Sequence, residues 1–114
     1  MVTPSAASVV LVSFPFSDLS RTKLRPAVVL ASAGLEDWVL CQVPSNAYAD
    51  AQAVEISDSD FLTGGLLRTS YARPGKLFTA NRSLIVSEAG VLNDESFELI
   101  IEAIIKLLRS NLNP

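Results

Sequence analysis

The chain of 114 residues has no histidine and a single cysteine, Cys41. These scarcities remove intramolecular disulfides, most zinc sites, and every serine or cysteine nucleophile activated by an imidazole. Long apolar runs are missing as well. A stretch such as Ala27 to Ala31 falls far short of the roughly 20 residues that a helix needs to cross a bilayer, so no membrane association is expected. The N-terminal segment "MVTPSAASVV" has no basic residue ahead of its short apolar run, which argues against a secretory signal and for a cytoplasmic location. Positive charge is in deficit, with nine Lys and Arg against twelve Asp and Glu and a net charge of −3. As an average, that balance argues against a general nucleic-acid binder, because neutralising phosphates takes a basic surface.

What is present changes this picture. With 49% hydrophobic residues, a chain of this length can bury a core without staples, and a single domain over residues 1–114 is expected. The charges are segregated by sign. Arg21, Lys23 and Arg25 fall in an acid-free window from Leu19 to Leu35, and Arg68, Arg73, Lys76 and Arg82 fall in another from Leu67 to Leu84. If folding joins the two windows, an anion site forms despite the negative total, since local potential governs docking.

The pattern of the chain is mostly that of short strands. "VVLVSF" (Val9 to Phe14) is rich in β-branched residues and stops at Pro15, which reads as a buried strand. Phe16 to Leu24 reads as a loop. Pro26 biases Arg25 towards an extended backbone, and "AVVLAS" continues as a second strand ending near Gly34. "WVLCQV" forms a third strand stopped by Pro44, and "AQAVEI" a weaker fourth. "SDSDFLTGG" (Ser57 to Gly65) reads as one helical turn or a tight loop. "SYARPGKLFTA" is extended with a kink at Pro74-Gly75, and "RSLIVS" is a short final strand. From Phe97 the period changes: Ile100, Ile101, Ile104, Ile105 and Leu108 make one stripe of an amphipathic helix, with Asn93 as its N-cap and Leu92 and Phe97 as a hydrophobic staple. Such a set implies a mainly β fold, a small barrel or sandwich, with a C-terminal helix.

The order of these segments resembles the MazF/PemK family of toxins from toxin-antitoxin pairs. "VVLVSFPFSD" resembles the family's opening strand and Phe-Pro loop, "LRPAVVLAS" its Arg-Pro-Ala segment, and "CQVPSN" its strand that ends in a hydroxyl-bearing pair. "GGLLRTSYARPGKLFTANRSLI" resembles the stretch before the final strand and helix. The resemblance implies an SH3-like small β-barrel with a C-terminal amphipathic helix, and a homodimer. It also implies endoribonuclease activity on single-stranded RNA that is sequence-selective, without metal or other cofactor. An acidic antitoxin protein would occupy the RNA groove, and operator DNA would be bound only together with that antitoxin. The sequence departs from the family's pattern in three places: Ala7-Ser8 replaces an initial Gly-Asp, Pro44 replaces a threonine, and Gly75 stands where some members carry an acid. A catalytically impaired member that still binds nucleic acid or antitoxin is therefore the alternative.

RNA cleavage of this kind proceeds by attack of the 2′-hydroxyl on the adjacent phosphorus. The site must neutralise the developing phosphorane, a task suited to the planar, permanently charged fork of arginine. Arg25, fixed at the strand entrance by Pro26, is the first catalytic candidate, and Ser45, by resemblance to the family hydroxyl, is the second. The candidates for RNA contact are Phe16, Arg21, Lys23, Asn46, Arg73 and Lys76, with Phe16 offering a face for base stacking. A solvated strand-edge charge remains the alternative for Arg25, solvated loop charges for Arg21 and Lys23, a plain turn for Ser45-Asn46, and a carboxylate partner for Arg73. Trp38 and Cys41 are expected in the core. "GKL" at Gly75 lacks the rest of a phosphate loop, and "SDSD" lacks the spacing of a calcium loop.

Overall fold

The computed structural model describes residues 3–15 and 22–112. Among these residues eight strands and one α-helix follow one another: β1 (Ser8–Pro15), β2 (Thr22–Gly34), β3 (Asp37–Gln42), β4 (Val54–Ile56), β5 (Phe61–Gly64), β6 (Ser70–Ala72), β7 (Leu77–Asn81), β8 (Ile85–Leu92) and α1 (Asp94–Arg109). The fold is thus mainly β with a C-terminal amphipathic helix, as expected. Six strands form an antiparallel sheet in the order β5-β8-β1-β2-β3-β7, and β4 and β6 form a separate ribbon. The ladders do not close into a ring among the described residues; β5 and β7 stand at the ends of the sheet. The ribbon is tied to the end of β3 by backbone bonds from Tyr71 N to the Pro44 carbonyl (2.8 Å) and from Arg73 N to the Gln42 carbonyl (3.1 Å).

The central strands read as near-continuous apolar runs because both of their faces are covered. Alternate residues serve two cores. Val9, Val28, Cys41, Val43 and Leu92 pack with Ile100 and Ile104 of the helix. Val10, Val12, Ala27, Val29 and Leu40 pack with Ile85, Ala80 and the half-buried Phe14, Trp38 and Phe78. The rings of Phe14 and Phe78 lie 4.8 Å apart at 60°, the tilted arrangement that aromatic quadrupoles favour. Burying each of the valine, leucine and isoleucine side chains contributes roughly 1.5–3 kcal/mol, so a double-faced sheet stabilises a small domain without covalent staples.

The helix begins where its signals place it. The Asn93 side chain accepts a bond from Ser96 N at 2.8 Å, Asp94 and Glu95 lie in the first turn, and Lys106 and Arg109 in the last, each suited to the dipole end it faces. Leu92 is buried in the helix-side core and Phe97 packs against it, as a staple requires.

Three boundaries differ from the sequence reading. The strand β2 already includes Thr22 to Leu24, because the ladder with β1 extends to Thr22; residues 16–21 of the expected loop lie outside the described residues. The segment after Ser57 does open with a short helical turn, Asp58–Asp60, but then forms strand β5, paired with β8. Leu62, Thr63 and Gly64 are all exposed, so no alternation betrays that strand in the sequence. Finally, Arg82–Leu84 is a helical turn and the last strand runs on to Leu92.

Candidate functional site

One cavity gathers residues from both basic windows. It measures about 480 Å³ and lies between the start of β2, the segment after β3, and the connection from β5 to β6. From β2 it takes Lys23, Leu24, Arg25 and Pro26. Strand alternation sets Leu24 and Pro26 on one face of β2 and Lys23 and Arg25 on the other, so the strand forms the rim of the cavity. The ladder with β1 fixes that rim, with Arg25 opposite Val12 and Lys23 opposite Phe14. Both cations are exposed.

The second wall follows β3. Pro44 is held by its carbonyl bond to β6, and Ser45 beside it is exposed; both line the cavity, as does Tyr48. The third wall runs from Gly65 through Leu66 and Leu67 to Arg68. It is hung on β8 by the bond from Gly65 N to the Ala89 carbonyl, 3.1 Å long. Among the described residues no carboxylate lines the cavity, whose lining includes the three cations Lys23, Arg25 and Arg68. None of these three makes an ion pair among the described residues. A net negative chain thus concentrates unneutralised positive charge at one concave, partly apolar place.

The other candidates sit elsewhere. The side chain of Asn46 accepts a bond from Tyr48 N at 2.7 Å, an Asx turn that shapes the loop, and Asn46 is outside the cavity lining. Arg73 is also outside it: its Nε donates to Asp50 Oδ2 at 3.1 Å, and its guanidinium lies over the Tyr48 ring, 5.2 Å from the centroid. The Asp50 carboxyl is held below its ordinary range, first by the backbone N–H of Gln52 and then by Arg73. Lys76 is exposed and away from the cavity. Phe16 and Arg21 lie outside the described residues. Cys41 is buried, and its Sγ donates to the Arg73 carbonyl at 3.1 Å. Burial pushes that thiol up to about 12, which leaves it a small apolar filler rather than a nucleophile.

Sequence reasoning did not single out Tyr48 or Arg68 as site residues. Arg68 stands in the second basic window, but only tertiary partners distinguish it from Arg73 and Arg82. Tyr48 carried a usable signal, a lone aromatic within the polar run "SNAYAD".

No family model matches the sequence, and neither does any curated protein. Solved structures do match. The chain superposes on the Mycobacterium tuberculosis toxin MazF-mt6 with a TM-score of 0.69 at 17% identity, covering 89% of this chain and 95% of that one. The fold is that of the MazF toxins. A MazE-MazF structure from Deinococcus radiodurans gives a TM-score of 0.73 at 18% identity, covering 95% and 97% of the two chains. An endoribonuclease in complex with its cognate antitoxin, from a mycobacterial species, matches over the full length of both chains at 15% identity and a TM-score of 0.69. Identities this low carry the MazF fold and leave chemistry to the residues of the cavity. Among the described residues no helix is long and apolar enough to cross a membrane.

Proposed function

We propose that this chain is the toxin of a toxin-antitoxin pair and cleaves single-stranded RNA at the cavity bordered by Lys23, Arg25, Ser45 and Arg68. The observation that carries this reading is the cluster, in one cavity of a net negative protein, of three cations that meet no carboxylate among the described residues. It suits a polyanion, and the adjoining leucines and Tyr48 suit unstacked bases. In the reaction the 2′-oxygen forms a bond to phosphorus, its proton leaves, and the bond from phosphorus to the 5′-oxygen breaks as that oxygen gains a proton. The products carry a 2′,3′-cyclic phosphate and a free 5′-hydroxyl. Arg25, and Lys23 beside it, meet the extra charge of the phosphorane. The Ser45 hydroxyl donates to a non-bridging oxygen. Among the described residues no carboxylate or imidazole lines the cavity, and in this reading catalysis rests on charge stabilisation and alignment rather than on a strong general base.

The partners in this reading are single-stranded RNA, a second copy of the chain in a homodimer, and an acidic antitoxin that competes for the cationic cavity. The solved complexes of proteins with this fold and their antitoxins support the last of these. Operator DNA would be bound only through the antitoxin, Lys76 would contact the RNA backbone from outside the cavity, and the location is cytoplasmic.

Incubation with single-stranded RNA in excess chelator tests the proposal. The expected result is cleavage that leaves 2′,3′-cyclic phosphate ends, reduced roughly 100- to 1,000-fold in Arg25→Ala. RNA left intact at high protein concentration refutes it. A second reading rests on Pro44, which puts no hydroxyl in the cavity beside Ser45: a binding module that holds RNA or antitoxin without cleaving. It predicts saturable binding to the same RNA, weakened in Arg25→Ala, with no products.

A further inference from the structure

Tyr48 is 61% exposed, yet its backbone and its ring both have fixed neighbours. Its backbone is left-handed at φ 55, and Ala49 follows at φ 57. Two consecutive non-glycine residues rarely adopt that region, and it persists only where neighbours enforce it. Here the enforcement is visible. Tyr48 N is bound by the Asn46 side chain at 2.7 Å, Asp50 N by the Ala47 carbonyl at 3.0 Å, and the Asp50 carboxylate is clamped by Arg73 at 3.1 Å. The same guanidinium lies 5.2 Å from the centre of the tyrosine ring. An aromatic ring is ordinarily fixed by burial, which rewards its large apolar area. This one has a fixed neighbour while remaining in solvent, beside three cations that make no ion pair among the described residues.

We propose that Tyr48 is a stacking platform for one unstacked nucleobase of single-stranded RNA, and that Arg73 is the positioning residue that holds it. The inference rests on the RNA reading of the cavity. One side of the ring is occupied by the guanidinium, whose charge is shared with Asp50, so the base takes the free surface that borders the cavity. Arg25, Lys23 and Arg68 take the flanking phosphates. Preorganising the ring lowers the ordering cost of binding, and stacking tolerates any base because each has a π-face. Phosphate contacts and base contact are then separable: the cations carry the salt dependence and Tyr48 does not.

The test uses short single-stranded RNAs in chelator, with 2-aminopurine replacing each base in turn, titrated with the wild type, Tyr48→Phe, Tyr48→Leu and Arg73→Gln. The expected result is quenching at one position by the wild type and Tyr48→Phe, and its loss in Tyr48→Leu with affinity lowered roughly 5- to 150-fold. The slope of log affinity against log salt stays unchanged in Tyr48→Leu. Wild-type binding with equal quenching and affinity in Tyr48→Leu overturns the platform and leaves the RNA reading standing. Absence of binding to any RNA by the wild type overturns both, as does Tyr48-dependent binding of an acidic peptide alone. Arg73→Gln is expected to weaken the quenching at unchanged salt slope. A slope reduced by about 0.7 would instead make Arg73 a phosphate contact and overturn its positioning role.

Discussion

The third wall of the cavity depends on how closely β5 approaches β8, and the glycines of the chain allow that approach to be weighed. Gly64 ends β5 at φ +68, and a Cβ built there would lie 2.1 Å from the Ala89 carbonyl oxygen and 2.7 Å from the Gly90 Cα. Both are backbone atoms, so no side chain can swing aside. Gly34, in the tight turn joining β2 to β3, has a similar φ of +86 but nothing within 4 Å of a Cβ. Gly75 has no left-handed φ, and a Cβ there meets only a Leu107 side-chain carbon at 3.7 Å, an ordinary contact. Substitution by alanine at these positions therefore separates two effects. Gly34→Ala carries the conformational strain alone, about 1–2 kcal/mol. Gly64→Ala adds to a similar strain the displacement of two strands, an overpacking of about 1–3 kcal/mol. It also loosens the bond from Gly65 N to that same Ala89 oxygen, worth about 1 kcal/mol. The sum is about 3–6 kcal/mol, a large part of the 5–15 kcal/mol typical of a domain. Gly75→Ala is expected within about 0.5 kcal/mol of the wild type.

Urea denaturation followed by Trp38 fluorescence measures all three. With a slope of about 2 kcal/mol per M, Gly64→Ala lowers the midpoint by about 2 M and Gly34→Ala by less than half of that. Equal losses at the two positions would refute the contact argument, because φ would then account for everything. Since Gly65 to Arg68 hang from this junction, Gly64→Ala is also expected to weaken RNA binding under conditions in which it remains folded.

Two further outcomes follow from the side chains. The Asp60 carboxylate accepts from Ser57 N and from Ser96 Oγ, each at 2.7 Å, and the first of these is the main reason that its pKa is lowered. A lowered folded pKa gives stability that is present above the unfolded value, about 3.9, and lost as pH falls through the folded one. The stability difference between the wild type and Asp60→Asn should therefore shrink below about pH 4, and a difference constant with pH contradicts that role. Cys41, buried and shifted to about 12, should resist alkylation in the native protein at mildly alkaline pH and react once urea unfolds it; equal native and unfolded labelling rates would show the thiol to be accessible.

How much of this could be read from the sequence varies by element, for physical reasons. The strands β1, β2 and β3 and the helix were legible because burial imprints a period or a solid β-branched run. Strand β5 was not, since exposure leaves no such imprint and its place is decided by the space that Gly64 leaves for β8. In the site, the rim of β2 was legible through Arg25-Pro26 and its acid-free window. Tyr48 is held at the cavity by Arg73, which lies 25 positions further along the chain, and no local pattern announces such a pairing.

The same distance explains what charge segregation could and could not decide. In sequence the four cations of the second window look equivalent. In the fold Arg73 is matched by Asp50, and Arg82 by Glu36 at 3.5 Å, both acids coming from the stretch between Gly34 and Phe61. Lys76 is not among the residues that line the cavity. Of these four, Arg68 joins Lys23 and Arg25 in the cavity lining, with no carboxylate partner among the described residues. The acidic middle of the chain thus acts as a filter: its acids pair with Arg73 and Arg82 and not with the cations that border the cavity. Because local potential rather than net charge governs docking, a chain of net charge −3 can present a cationic site. The acids that set its total charge help to confine that site to one place.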